Sequence, residues 1–149
     1  MENNLTLELS KHIDADTATV WDALINPEKI KHWLFGTQAI SDWKKGSPIT
    51  YKGQWEGKQY EDRGTILAIE PEKIFKSTYW SSMSGTEDKP ENYATVTYTL
   101  KKDDDGALVT LTQDNIKTPE AKAHLESNWK MVLDGLKKVA EDHPRSEEK

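Results

Sequence analysis

Apolar positions along the chain repeat with two periods. Near the C-terminus, Ala121, Leu125, Trp129, Val132, Leu133, Leu136, Val139 and Ala140 follow one another at helical spacing. That spacing places them on one stripe of an α-helix running from Thr118 to Glu141. Thr118 suits the N-cap, and Pro119 suits the first helical position, where a missing N–H costs nothing. Glu120 complements the positive end of the helix dipole, and Lys137 and Lys138 the negative end. About 22 residues would extend roughly 33 Å, the width of a small domain. Such a helix predicts a broad apolar surface beneath it.

The rest of the chain alternates with a period of two, which predicts strands. Leu5, Leu7 and Leu9 alternate with polar residues in a half-buried strand ending near Ile13. Asp14-Ala15-Asp16 offers helix caps, and Val20, Trp21, Ala23 and Leu24 cluster on one side of a short helix. Asn26-Pro27 interrupts it, and a second short helix runs from Pro27 to Trp33. Strands follow over 38–43, from Ile49 to Trp55, over 59–70, 74–81 and 92–101, and from Ala107 to Ile116. Turn signals separate them: Lys45-Gly46-Ser47-Pro48, Glu56-Gly57-Lys58, Glu70-Pro71-Glu72-Lys73, a polar loop over 82–91, and Asp103-Asp104-Asp105-Gly106. Gly64 inside the 59–70 strand predicts a bulge or bend. Consecutive hairpins imply an antiparallel sheet, with one face covered by the long helix and the helical pair. The expected fold is α+β in a single domain over 1–141, with a disordered charged tail over 142–149.

Composition narrows the function classes. The 149 residues carry a formal net charge of −6, so no basic footprint for nucleic acid is present overall. No cysteine occurs, which removes disulfides, thiolate catalysis and Cys-based metal sites. The first residues, Met1 to Asn4, do not read as a signal peptide, and no apolar run approaches the ~20 residues of a membrane span. A soluble cytoplasmic protein is the default expectation.

The order and spacing of several segments resemble the START-like superfamily, also called SRPBCC or helix-grip. Within it, the chain is similar to the C-terminal domain of the activator of the heat-shock chaperone ATPase. The carrying residues are Ile13-Asp14-Ala15 with Val20 to Leu24, then Pro27 to Ile30 with Trp33, then Gly57. Gly64 to Ile74, Leu108 to Thr112, and Trp129 in the last helix complete the match, which spans Leu5 to about Ala140. The resemblance implies a curved antiparallel sheet gripping the long helix, with a cavity between them. Many members bind lipids or other apolar molecules there, and some are enzymes. Members often carry Gly just before the helix Trp. Here that position is Asn128, whose larger polar side chain would narrow the cavity or hydrogen-bond within it. The full chaperone activator has a further N-terminal domain, whereas this chain opens on its first strand. The expectation is therefore a domain without that extension, which counts against a co-chaperone role.

Candidate chemistry is sparse. None of His12, His32, His124 and His143 pairs with another at the spacing of a helical metal site, so no metal or cofactor is expected. His124 lies four residues before Asn128, so both would share a flank of the helix at the cavity mouth. Asp103 to Asp105 reads as a solvated turn rather than a calcium loop. Glu61, Asp62 and Arg63 lie mid-strand. A carboxylate buried there would have a shifted pKa, although a solvent face is the ordinary reading. No catalytic constellation emerges.

The aromatic residues are the stronger signal, with six tryptophans against two phenylalanines. Trp43, Tyr51, Trp55, Tyr79, Trp80 and Trp129 come from separate elements that the implied fold would gather around one space. Trp21 and Trp33 read mainly as packing residues. The candidate ligand-binding set is these six together with Trp33, His124, Leu125 and Asn128. The leading expectation is non-catalytic binding of a lipid-like or polyaromatic molecule. A stress-related chaperone-regulating or protein-interaction module, and a cyclase or hydrolase acting on an apolar substrate, are the alternatives.

Overall fold

The computed structural model describes residues 5–33, 36–55, 57–81 and 87–142, with the side chains of Trp55 and Pro90 outside that description. Of the charged tail expected over 142–149, Asp142 belongs to the last helix, while residues 143–149, His143 included, and the loop residues 82–86 lie outside the description too. Eleven elements follow in order. Strand β1 (Leu5–Ile13) leads into helices α1 (Thr17–Ile25) and α2 (Pro27–Trp33). Next come β2 (Gln38–Ser41), β3 (Pro48–Trp55), β4 (Lys58–Glu70) and β5 (Ile74–Ser81). A 3-10 turn over Pro90–Asn92 precedes β6 (Ala94–Asp103) and β7 (Gly106–Ile116), and α3 (Pro119–Asp142) ends the described chain. The strands form one antiparallel sheet in the order β1-β7-β6-β5-β4-β3-β2. The α+β helix-on-sheet expectation therefore holds.

Local chemistry explains the element ends. The Asp16 carboxylate accepts the Thr19 N–H at 2.8 Å and caps α1. Thr118 Oγ1 accepts the Ala121 N–H at 3.0 Å and caps α3, with Pro119 opening the helix as expected. Strand β2 stops two residues short of its predicted end because Trp43 turns to φ 58°. The predicted run over 92–101 is shifted, since Pro90–Asn92 closes a 3-10 turn before β6 begins. Lys137 and Lys138 do not cover the C-terminal carbonyls of α3. They pair with Glu141 and Asp142 one turn on, and the helix continues through Asp142.

Two glycines are required by close approach. A Cβ on Gly106 would collide with the Ile13 carbonyl oxygen, so glycine lets the β6–β7 hairpin close against the end of β1. The turn itself is Asp104-Asp105, with Asp104 at φ 55°. A Cβ on Gly64 would collide with the Thr78 carbonyl oxygen across β4 and β5. Beside it the ladder is altered, and Thr78 Oγ1 accepts the Thr65 N–H at 2.8 Å. Just beyond, the register shifts between Ile66 and Ala68. The inward phase of β4 moves accordingly, from Ile66 to Ile69. Bulges of this kind raise local twist and bend the strand.

That bend divides the interior. Helix α3 packs on β1, β7, α1 and α2. Its C-terminal half, from Val132 to Ala140, is core together with Leu7, Ile13, Val109 and Leu111. Its N-terminal half, with Ala121, Leu125 and Trp129, is only partly buried and faces the strands that curl away.

One pH-dependent link ties the hairpin to the helices. His12 Nδ1 lies 2.9 Å from Asp103 and Nε2 lies 3.1 Å from Asp14, whose N–H donates to Glu141. The Asp103 hydrogen bond, then that of Asp14, raises the His12 pKa above its ordinary 6.5. A raised histidine stabilises the fold fully below its unfolded value and loses that contribution as pH rises through its folded value. Urea midpoints of the native protein are therefore expected to fall, relative to His12→Gln, as pH rises above 6.5 and through the raised folded value. Parallel profiles for the two proteins would refute the link.

Candidate ligand cavity

The gap between β3–β5 and the first half of α3 is a cavity of about 620 Å³. Its walls come from strand alternation. Tyr51 of β3, Asp62 of β4 and Ser81 of β5 are successive cross-strand partners, so they form one row on the concave face. Tyr79 lies two residues before Ser81 on the same face. Val96 and Tyr98 of β6, and Gln113 of β7, continue the lining toward the core. From α3, Leu125 and Trp129 form the opposite wall, while His124, Asn128 and Met131 stand exposed at the rim.

The rings are arranged edge to face. Trp129 meets Tyr98 at 6.3 Å and 83°, and Tyr79 at 6.4 Å and 61°. The Trp129 indole N–H donates to Gln113 Oε1 at 2.8 Å, which satisfies both polar groups and fixes the ring. Phe75 is 2% exposed and stacks on Tyr98 from below, with Trp43 on its other side at 6.0 Å. Trp33 borders the cavity but is anchored for packing, its indole N–H donating to the Ala23 carbonyl at 2.7 Å.

Asp62 is the polar feature of the interior. Tyr79 donates its hydroxyl to Asp62 Oδ2 at 3.0 Å. Asp62 Oδ1 is buried with no hydrogen-bond partner. Burial raises the carboxyl pKa, with Ser81 and Tyr79 opposing the shift through hydrogen bonds. The same burial, reinforced by the Asp62 charge, pushes the Tyr51 and Tyr79 phenols upward, so both remain neutral donors at ordinary pH.

Of the residues singled out from sequence, Trp33, Tyr51, Tyr79, His124, Leu125, Asn128 and Trp129 all border this cavity. Trp43 does not; it packs behind Phe75. Trp80 does not either, because alternation turns it to the opposite face of β5. There it stacks on Tyr93 at 6.3 Å under the Arg63 guanidinium, 5.7 Å from the ring. The Trp55 side chain is outside the description. Asp62, Phe75, Tyr98 and Gln113 were not singled out as binding residues. For Asp62 the sequence leaves a solvent face as the ordinary reading and burial as the alternative; it points inward, and its neighbours Glu61 and Arg63 pair with each other outside. Gln113 had a legible signal, a polar residue on the otherwise apolar stripe of β7. Among the described residues no cluster suits a metal ion, and no helix is long and apolar enough to cross a membrane.

Comparison with known proteins agrees with this architecture. No curated protein matches the chain. A Cytophaga hutchinsonii protein with a solution structure is 46% identical, covers 95% of this chain and 97% of its own, and superposes with a TM-score of 0.81. CalU16 from Micromonospora echinospora is 22% identical, with 91% and 75% covered and a TM-score of 0.71. A Mesorhizobium loti protein is 19% identical, with 95% and 100% covered and a TM-score of 0.76. The last two likenesses are of fold. The family model described as "Activator of Hsp90 ATPase homolog 1-like protein" matches residues 14–141. With that match over most of its length and the helix-grip architecture, the chain belongs to the Activator of Hsp90 ATPase homolog 1-like family of the START-like superfamily.

Proposed function

We propose that this domain binds an apolar, planar small molecule between the concave face of β3–β5 and the first half of α3. The observation that carries the reading is the cavity of about 620 Å³ walled by Phe75, Tyr79, Tyr98 and Trp129. Its volume falls within the ~300–1,000 Å³ of small-molecule sites, which are mostly apolar with a few placed polar groups. Asp62, Tyr79 and Gln113 are those groups here. The half-buried N-terminal part of α3 makes one wall, so a ligand would complete the burial that the sheet does not provide.

A panel of planar polyphenols, sterols and fatty acids, followed by amide and indole NMR shifts, tests the reading. At least one class is expected to move Ser77, Tyr79, Gln113 and the Trp129 indole together, and Leu125→Trp, which fills the space, is expected to weaken it at least about tenfold. Shifts confined to outward-facing residues for every class would sink the proposal. The Asp62–Tyr79 pair favours a second reading, catalysis on a bound apolar substrate. A compound recovered chemically altered from the same samples would move the assignment there.

A further inference from the structure

We propose that the cavity selects a cationic ligand, a planar apolar body carrying a protonated amine that docks on Asp62 among the tyrosine rings. The inference rests on the cavity-binding reading and adds the charge of the ligand.

Among the described residues, Asp62 and His124 are the only ionisable side chains of the lining apart from tyrosines, and His124 stands at the rim. Lysine and arginine are absent from the described lining residues. Arg63, next in sequence, faces outward and is held by Glu61 and Asp88. Inside, Asp62 Oδ2 takes the Tyr79 hydroxyl, Ser81 also hydrogen-bonds the carboxyl, and Oδ1 is buried without a partner of its own. A buried acceptor left unmade is costly, and the large majority of such atoms in folded proteins have a partner. Asp62 lines the cavity, so a donor bound there reaches this oxygen by a partial turn of the carboxyl about χ2, a broad torsion, in competition with the Tyr79 hydrogen bond.

The surroundings select among donors. Tyr51 is the direct cross-strand neighbour of Asp62, and Tyr79 is hydrogen-bonded to it. Aromatic faces carry negative potential and attract cations. A carboxylate in a cavity lined by such rings, with no lysine or arginine among the described lining residues, makes a site that favours positive charge. A carboxylate ligand would be repelled and would leave Oδ1 unpartnered. A neutral hydroxyl would satisfy Oδ1 but gain little from the rings. An ammonium group satisfies the oxygen, neutralises the buried charge and interacts with the rings. Its binding also holds Asp62 in the ionised form, so affinity falls at acid pH, where the raised carboxyl is protonated.

Three fluorescent probes sharing one planar body test this: 1-pyrenemethylamine, 1-pyrenemethanol and 1-pyrenecarboxylic acid. The amine is expected to bind about tenfold or more tightly than the alcohol, and the acid most weakly. Amine affinity is expected to fall toward acid pH, as the raised Asp62 carboxyl is protonated, while alcohol affinity stays level. Asp62→Asn should abolish the preference for the amine, so that amine and alcohol then bind within about threefold of one another. Where that variant does not fold, the pH profiles of the native protein decide. Alcohol and amine binding equally, or a level amine profile, would overturn the inference and leave the cavity reading intact. No binding of any probe at the Trp129 indole would overturn both.

Discussion

Replacing Phe75 with alanine is expected to lower stability by about 3 kcal/mol, the lower end of the range for deleting a buried aromatic side chain. The ring is 2% exposed and sits between Trp43 and Tyr98. One of its sides borders open cavity, so it has fewer partners there than a ring packed all round, which favours the lower end. For a chain of this size the loss corresponds to a fall in melting temperature of roughly 6–12 °C. The cavity should deepen toward Trp43, whose emission should shift to the red as its neighbour disappears. A loss below about 1 kcal/mol would mean that the ring does not form the floor between cavity and core.

Gly64→Ala is the second large effect, expected to cost about 2 kcal/mol net. An added Cβ meets the Thr78 carbonyl oxygen, a backbone atom that cannot rotate away, so β4 and β5 must separate. Forcing volume into a packed site costs about 1–3 kcal/mol, and the backbone contact places this case near the top. Against that, alanine in a strand regains about 0.5–1 kcal/mol of the entropy that glycine gives up. The clash outweighs the gain. Because Gly64 lies between Asp62 and the bulge at Ile66, ligand-responsive shifts of Asp62 and Tyr79 should weaken as well. Denaturant unfolding with a midpoint equal to that of the native protein would refute the steric argument.

Much of the architecture was legible because it depends on neighbours in sequence. The Asp16 and Thr118 caps, the α3 stripe and the hairpins are all short-range features, and they appear as expected apart from shifted ends. Trp129, Tyr51 and Tyr79 were legible as cavity residues because they are aromatic residues on separate elements that the implied fold gathers around one space. Trp80 was misread because it adjoins Tyr79, and adjacent strand residues face opposite ways. For Asp62 the ordinary reading did not hold: a carboxylate in a polar stretch usually lies outside, yet its pairing with Tyr51 and Ser81 puts it on the inner row.

The long helix shows the same limit. The sequence suggests a stripe with packing on one flank and a polar edge on the other. In the fold the division runs along its length, with core after Val132 and cavity wall before it. Nothing within α3 encodes that boundary. It is set by where the sheet curves away, at the Gly64 contact and the Ile66–Ala68 register shift on distant strands. Periodicity and capping determined the elements and their apolar faces, because both act within a few residues. Tertiary structure alone decided which row faces inward, how much space it encloses and that a carboxylate lies within it. Those outcomes depend on register and curvature, which long-range pairing sets and a local pattern does not contain.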